Sequence, residues 1–171
     1  MPKTYQESGR GLAVIETANT PLAATTTETP LFTYTVVAGR MTKYQAIRWK
    51  VEITFTSVLA APQITIRLRF GNSMMVVVDN LTVVLGATNR PIKIEGMIVN
   101  CGATNVQFAD AAMTQSASGP VFTALASGSD AKVADWTEDT TQDKNFAVSA
   151  QFGGLTAGAS INYRLGMLEI F

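Results

Sequence analysis

The acidic residues between positions 130 and 143 are the densest group of side chains that could take part in chemistry. Five carboxylates stand in this stretch: Asp130, Asp135, Glu138, Asp139 and Asp143. Carboxylate oxygens are ligands that Ca²⁺ prefers, and two carboxylates can also cleave a glycosidic bond. The spacing matches no EF-type calcium loop, and no glycine stands where such a loop needs its sharp turn. A metal site, a carboxylate pair and a solvated loop all stay open, and the solvated loop is the simplest.

Histidine is absent from all 171 residues. This absence excludes Ser-His-Asp and Cys-His nucleophile pairs, imidazole acid–base catalysis and zinc sites with histidine ligands. The single cysteine, Cys101, has no neighbouring base or cation and is predicted to be a small buried hydrophobic residue. Carboxylate-only or Lys-based catalysis survives this exclusion, but the prediction taken from the whole sequence is a protein that is not an enzyme and carries no cofactor.

The composition limits the classes of partner. Hydrophobic residues make up 47% and charged residues 15%, which is enough apolar material for a core. Lys plus Arg equals Asp plus Glu at 13 each, whereas a general nucleic-acid binder normally has a basic excess. No apolar run reaches the roughly 20 residues that span a bilayer, and the first residues lack the apolar core of a signal peptide. We expect no nucleic-acid partner, no membrane, and synthesis in a cytoplasm without export.

A second group of charged residues is basic and follows two consecutive predicted strands. Its members occupy outward positions: Arg48, Lys50, Arg67 and Arg69. If the two strands are neighbours, four positive charges share one face, offset in part by Glu52. Such a face is either solvated or a contact surface for an acidic partner. Trp49 alternates with these charges and is predicted to point into the core, which argues against stacking of bases on this face.

The elements that must position these residues are short strands. The segments AIRWKVEITF, QITIRLRFG and FAVSAQF alternate apolar and polar residues with a period of two. Turn residues separate further strand candidates: Leu31–Val37, Ser73–Val78, Leu81–Leu85, Pro91–Val99, Val106–Met113, Val121–Ala126 and Ser160–Phe171. Because no sustained helical period separates them, we predict an all-β fold, an antiparallel β-sandwich or barrel.

Three local features refine this prediction. Asp79-Asn80, between two β-branched runs, predicts a tight hairpin. In the last strand the apolar alternation changes phase at Gly166, which predicts a bulge there. The strand then ends on Leu168, Ile170 and Phe171, and Phe171 is predicted to close the core.

The first 30 residues differ from the rest of the chain. They include the polar run AATTTETP, and few of their residues are large and apolar. We predict an extended N-terminal arm over residues 1–30 and a β-sandwich domain over residues 31–171. A compact β-body with a free arm is the layout of an assembly component.

The body resembles a β-sandwich domain found in virion proteins of tailed bacteriophages. The matching stretches, distributed along residues 29–171, are TPLFTYTVVAGR, YQAIRWKVEITF, ITIRLRFG, EDTTQDKNFAVSAQFG and SINYRLGMLEIF. The resemblance implies a jelly-roll-like sandwich that assembles as a homotrimer. It transfers no catalytic residue, and the arm is not part of it.

The resemblance implies a structural protein of the virion. We expect a capsid decoration (cement) protein that binds the major capsid protein on the outer capsid surface and stabilises the particle. The alternative is the receptor-binding head of a head or tail fibre. The candidate capsid contacts are the apolar residues of the arm together with the basic residues of the body: Tyr5, Leu12, Val14, Ile15, Arg48, Lys50, Arg67 and Arg69.

Overall fold

The computed structural model describes residues 3–8, 11–58, 61–115, 121–122, 129–155 and 157–171. These residues form strands β1 (Lys3–Ser8), β2 (Gly11–Ala23), β3 (Thr29–Val36), β4 (Ala46–Ser57), β5 (Gln63–Phe70), β6 (Ser73–Thr82), β7 (Ala87–Asn100), β8 (Gln107–Gln115), β9 (Ser129–Trp136), β10 (Lys144–Phe152) and β11 (Ala159–Ile170). Within these ranges, no helix has the length and apolar character needed to cross a membrane.

The strands form two antiparallel sheets. The large sheet has seven strands in the order β1-β2-β11-β4-β7-β8-β9, and the small sheet has four in the order β3-β10-β5-β6. The chain crosses between the two sheets after β2, β3, β4, β6, β9 and β10, as in a jelly roll. The predicted fold class, an all-β antiparallel sandwich, is therefore confirmed.

The core lies between the inner faces of the two sheets. Every second residue of β4 and β5 is buried, as the alternation predicts, and the side chain of Trp49 is fully buried. The ring centroid of Trp49 lies 5.7 Å from that of Phe146, and Phe32 meets the same phenylalanine edge to face at 5.9 Å. Burying one large apolar side chain contributes roughly 1.5–3 kcal/mol. The contact of Trp49 on β4 with Phe146 on β10 therefore helps to hold the two sheets together, whereas Phe32 and Phe146 pack within the small sheet.

The N-terminal segment departs from the prediction of a separate arm. Its described part is extended, but it forms β1 and β2, and β2 pairs with β11 from Ala13 to Ala23. Val14 is fully buried opposite Leu168, and Glu16 is also buried. The segment has few apolar residues, so its sequence resembles that of a polar arm. Most of those apolar residues nevertheless lie in β2, which pairs with β11. It is therefore part of the sandwich.

The end of β11 also differs from the prediction. The change of phase occurs at Arg164, where the register shifts between Tyr163 and Leu165. Gly166 lies two positions later, on the inner face. A Cβ there would overlap the Tyr163 hydroxyl and the Phe32 ring, which explains why this position is a glycine. Leu168 and Ile170 are buried as predicted, but Phe171 is 45% exposed and does not close the core.

Two further predictions are wrong. The residues predicted to form a hairpin at Asp79-Asn80 belong to one continuous strand, β6, in which Asn80 takes a left-handed conformation with φ of 49°. Cys101 is exposed, because it lies in the turn after β7, where its N–H donates to the carbonyl of Val106. Of the predicted strand Val121–Ala126, only Val121 and Phe122 are described, and Phe122 forms an isolated bridge with Val83.

Candidate functional site

The four basic residues predicted to share one face lie on two different faces. β4 belongs to the large sheet and β5 to the small sheet, so Arg48 and Lys50 point away from Arg67 and Arg69. The condition for a single basic face, that the two strands are neighbours, is therefore not met. The two strands are consecutive in sequence but cross from one sheet to the other, which the alternation alone does not reveal.

Arg48 and Lys50 lie on the solvent-facing side of the large sheet, which we call the outer face. Lys50 stands opposite Met167 on β11 and Glu95 on β7. Arg48 stands opposite Glu169 on β11 and Met97 on β7. Cross-strand neighbours on one face lie within contact distance. The outer face therefore mixes methionine and charged side chains around β4.

The outer face contains a concavity of about 430 Å³ beside β7, β8 and β9. Its lining includes residues with little or no side chain, namely Gly96, Ala112 and Ala131. Larger apolar side chains border it, including Met97, Met167 and Val133, and Val133 is 69% exposed. Small residues surrounded by larger ones leave room for one apolar side chain of a partner.

The charged residues around the concavity pair with one another. Lys50 contacts Glu52, and Lys93 contacts Glu95 at 2.6 Å. The guanidinium of Arg48 lies 3.8 Å from the Glu169 carboxylate and 5.2 Å from the centroid of the Phe171 ring. Exposed pairs of this kind contribute little to stability, about 0–1 kcal/mol each. They leave the outer face with charges of both signs.

The predicted contacts of the N-terminal segment divide between the two sides of the large sheet. Ile15 is 36% exposed and stands opposite Met167, so it extends the outer face onto β2. Val14 is buried in the core and is not available to a partner. For Tyr5 and Leu12 the backbone register is defined: Tyr5 is paired with Val14, and Leu12 with Glu7.

Arg67 and Arg69 have an internal partner on the outer side of the small sheet. Arg69 donates two hydrogen bonds to the carboxylate of Glu28, from Nε at 2.8 Å and from an η nitrogen at 2.9 Å. Arg67 lies 3.5 Å from the same carboxylate, and the Ser149 hydroxyl donates to it at 2.5 Å. The hydrogen bonds from Arg69 lower the pKa of Glu28 to about 2, assisted by Ser149 and opposed by partial burial. This cluster anchors the connection between β2 and β3.

The acidic residues 130–143 do not gather at one point. Asp130 and Asp135 belong to β9, whereas Asp139 accepts hydrogen bonds from Thr141 and Asp143 accepts one from the Ala38 N–H. Among the described residues, no three side chains of His, Cys, Asp or Glu are placed to hold a metal ion. These contacts give Asp139 and Asp143 a role in ordering loops.

Glu138, in this acidic stretch, is buried. Its carboxylate accepts hydrogen bonds from the N–H groups of Asn72 and Ser73, each at 2.8 Å, and pairs with Lys144 at 3.0 Å. Burial alone would raise the pKa of Glu138, but the hydrogen bonds from Lys144, Ser73 and Asn72 outweigh it and lower the pKa. The charge therefore ties the β5–β6 turn to the segment between β9 and β10.

A buried amide network at the same end of the sandwich was not predicted from the sequence. The Asn100 side chain donates to the carbonyls of Met41 and Thr42 and to the Thr140 hydroxyl. Gln107 donates to Asn100 and to the Glu138 carbonyl, at 2.8 and 2.9 Å. Because buried amides need such partners, the network fixes the loops rather than forming an open site. The sequence signal that could have revealed the network is the presence of polar residues, Asn100 and Gln107, at buried strand positions.

The comparisons with known proteins show no family for this chain. No family model matches the chain, and no curated protein matches it in sequence. Peanut lectin with a 9mer peptide is similar in structure at 8% identity, covering 99% of this chain and 84% of the lectin with a TM-score of 0.42. Winged bean acidic lectin with methyl-α-D-galactose is similar at 8% identity, 99% and 90% coverage and a TM-score of 0.39.

One similar structure comes from a bacteriophage protein. It is the CBM2 module of the evolved Dit of Lactobacillus casei BL23 phage J-1, at 9% identity, 80% and 67% coverage and a TM-score of 0.37. The TM-scores of these three likenesses are all below 0.5, so they carry no argument about this chain.

Proposed function

We propose that the chain is a structural virion protein that decorates a bacteriophage capsid. It would bind the major capsid protein on the outer capsid surface and stabilise the particle without catalysis. The resemblance of residues 31–171 to tailed-phage virion domains supports the biological setting. The observation that carries the binding mode is the concavity of the outer face, with its small lining residues and the exposed Val133.

The outer face is better suited to bind the surface of another protein than to bind a small-molecule substrate. Its methionine, alanine and valine side chains provide apolar area, and the ion pairs around them provide both signs of charge. Interfaces commonly have this arrangement, with an apolar centre and a polar rim. Glu138, a buried carboxylate of the acidic stretch, is engaged by N–H groups and by Lys144 within the fold.

A decoration protein stabilises a capsid by mass action. If it binds the assembled capsid better than free subunits, assembly gains about 2.7 kcal/mol per site when free protein exceeds the dissociation constant a hundredfold. Particles stripped of the protein should therefore break at lower temperature, and adding it back should restore them. A fibre head makes the opposite forecast, because its loss would abolish adsorption to the host and leave particle melting unchanged.

The test uses stripped particles and purified variants of the full chain. Val133→Asp places a charge beside the concavity and Ala131→Arg fills it, and both positions are exposed, so folding should be retained. We expect both variants to bind particles at least tenfold more weakly and to fail to restore the melting temperature. Leu85→Asp is the matched control, since Leu85 is 58% exposed and lies outside the concavity. Wild-type protein that neither binds particles nor raises their melting temperature would refute the proposed function.

A further inference from the structure

Among the strands that the structure describes, β1 is an edge strand of the large sheet, with β2 on one side and no described strand on the other. All six of its residues, Lys3–Ser8, pair in unbroken register with β2, and β1 ends the strand order of the large sheet. No other described strand pairs with it. An edge strand presents a row of free N–H and C=O groups on its outer side, and these groups pair readily with another strand.

Both edges of the small sheet carry features that disfavour such pairing. β3 contains Pro30, which has no N–H to donate. β6 has two register shifts against β5, and its Asn80 is in a left-handed conformation. β1 has neither a proline nor a register shift. β9, at the far side of the large sheet, also pairs without a register shift, so the choice of β1 rests on its residue types.

The residue types of β1 complement themselves. When two copies of Lys3–Ser8 are laid antiparallel about a two-fold axis at Tyr5, Lys3 of each copy stands opposite Glu7 of the other. Thr4 then stands opposite Gln6, and the two Tyr5 residues stand opposite each other. Opposite charges and aromatic pairs at directly opposed positions stabilise antiparallel strands, and like charges there destabilise them. Two copies of β1 can therefore pair in a symmetric register in which the opposed residues attract each other.

We propose that the chain forms a two-fold symmetric dimer in which the β1 strands of two copies pair antiparallel about Tyr5. The two large sheets become one continuous sheet, and the symmetry leaves no β1 edge free, so the assembly closes at two copies. Because the axis is perpendicular to the sheet, both outer faces lie on the same side. This inference goes beyond the proposed function and does not depend on it.

The test is a charge exchange across the pairing register, measured by sedimentation of the purified full chain. Lys3→Glu places two glutamates opposite each other at both ends of the paired segment, and Glu7→Lys places two lysines there. We expect each single variant to weaken the dimer about tenfold or more. The double variant Lys3→Glu/Glu7→Lys restores opposite charges and should dimerise like the parent. Lys43→Glu, on an exposed loop residue, is the control with the same change of charge as Lys3→Glu.

The outcomes separate clearly. A dimer that is lost in both single variants and regained in the double variant supports the pairing, provided that circular dichroism shows all variants folded. A monomeric parent at about 100 µM, the weak end of specific association, overturns it. A trimer, which the phage resemblance implies, or a dimer indifferent to both charge reversals overturns it as well. Capsid binding is not part of the measurement, so its success or failure leaves this result unchanged.

Discussion

The carboxylate of Glu28 accepts two hydrogen bonds from Arg69, at 2.8 and 2.9 Å, although the two residues are 41 positions apart in sequence. Glu28 lies in the connection between β2 in the large sheet and β3 in the small sheet, and Arg69 lies on β5. Paired planar geometry of this kind makes the strong form of an ion pair. The contact therefore fixes the path by which the N-terminal strands join the rest of the sandwich.

Glu28→Gln should lower stability in a pH-dependent way. The folded-state pKa of Glu28 is lowered from 4.5 to about 2, so its contribution is fully present above pH 4.5 and is lost as the pH falls towards 2. Because the site is partly exposed, we expect a loss of about 1–3 kcal/mol at neutral pH, shrinking towards zero in acid. Urea unfolding of both proteins across this range measures it. Glu52→Gln, at an exposed pair, should change stability by less than about 0.5 kcal/mol. A penalty for Glu28→Gln that stays constant with pH would show that the carboxylate charge is not the cause.

Gly71→Ala should be more damaging than Gly39→Ala. Both glycines have left-handed backbones, with φ of 60° and 75°, and an alanine in that conformation costs roughly 1–2 kcal/mol. A Cβ at Gly39 would meet open space, whereas one at Gly71 would overlap the Glu138 carboxylate. We expect Gly71→Ala to cost at least about 1 kcal/mol more than its counterpart, by thermal or urea unfolding. Equal losses would mean that Glu138 moves aside freely.

Leu168→Ala and Phe171→Ala should separate the two kinds of apolar residue at the end of β11. Leu168 is fully buried, so its truncation leaves a cavity and should cost about 2–5 kcal/mol. Phe171 is 45% exposed and contacts the Arg48 guanidinium, so its truncation should cost about 1 kcal/mol or less. Denaturant midpoints of the two variants measure the difference. A larger loss at Phe171 would place its ring in a buried environment.

Much of the fold follows from alternation in single strands. β4 and β5 have unmistakable inward and outward sets, and the prediction that Trp49 points inward is confirmed. The assignment of strands to sheets does not follow, because a half-buried strand has the same pattern in either sheet. For that reason the sequence leaves open whether Arg48 and Arg67 share a face, and the structure places them on opposite sides of the sandwich.

The candidate site was harder to predict for the same reason. Its apolar lining comes from strands far apart in sequence, with Met97 on β7, Val133 on β9 and Met167 on β11. Each is an ordinary outward residue within its own strand, and only the sheet order brings the three together. The sequence likewise predicts the bulge at Gly166, whereas the structure has it at Arg164. A glycine in a strand can mark a bulge, but it can also mark a position where a neighbouring ring leaves no room for a side chain, as at Gly166.

The position of β11 in the large sheet governs when that sheet can form during synthesis. β11 lies between β2 and β4, two strands that leave the ribosome long before it. Until β11 emerges, β2 has no neighbour towards the centre of the sheet, and the edge of β4 that β11 will cover is unpaired. Contacts between residues distant in sequence slow folding and prolong the exposure of unpaired strands. The large sheet can therefore be completed only after β11 has been translated.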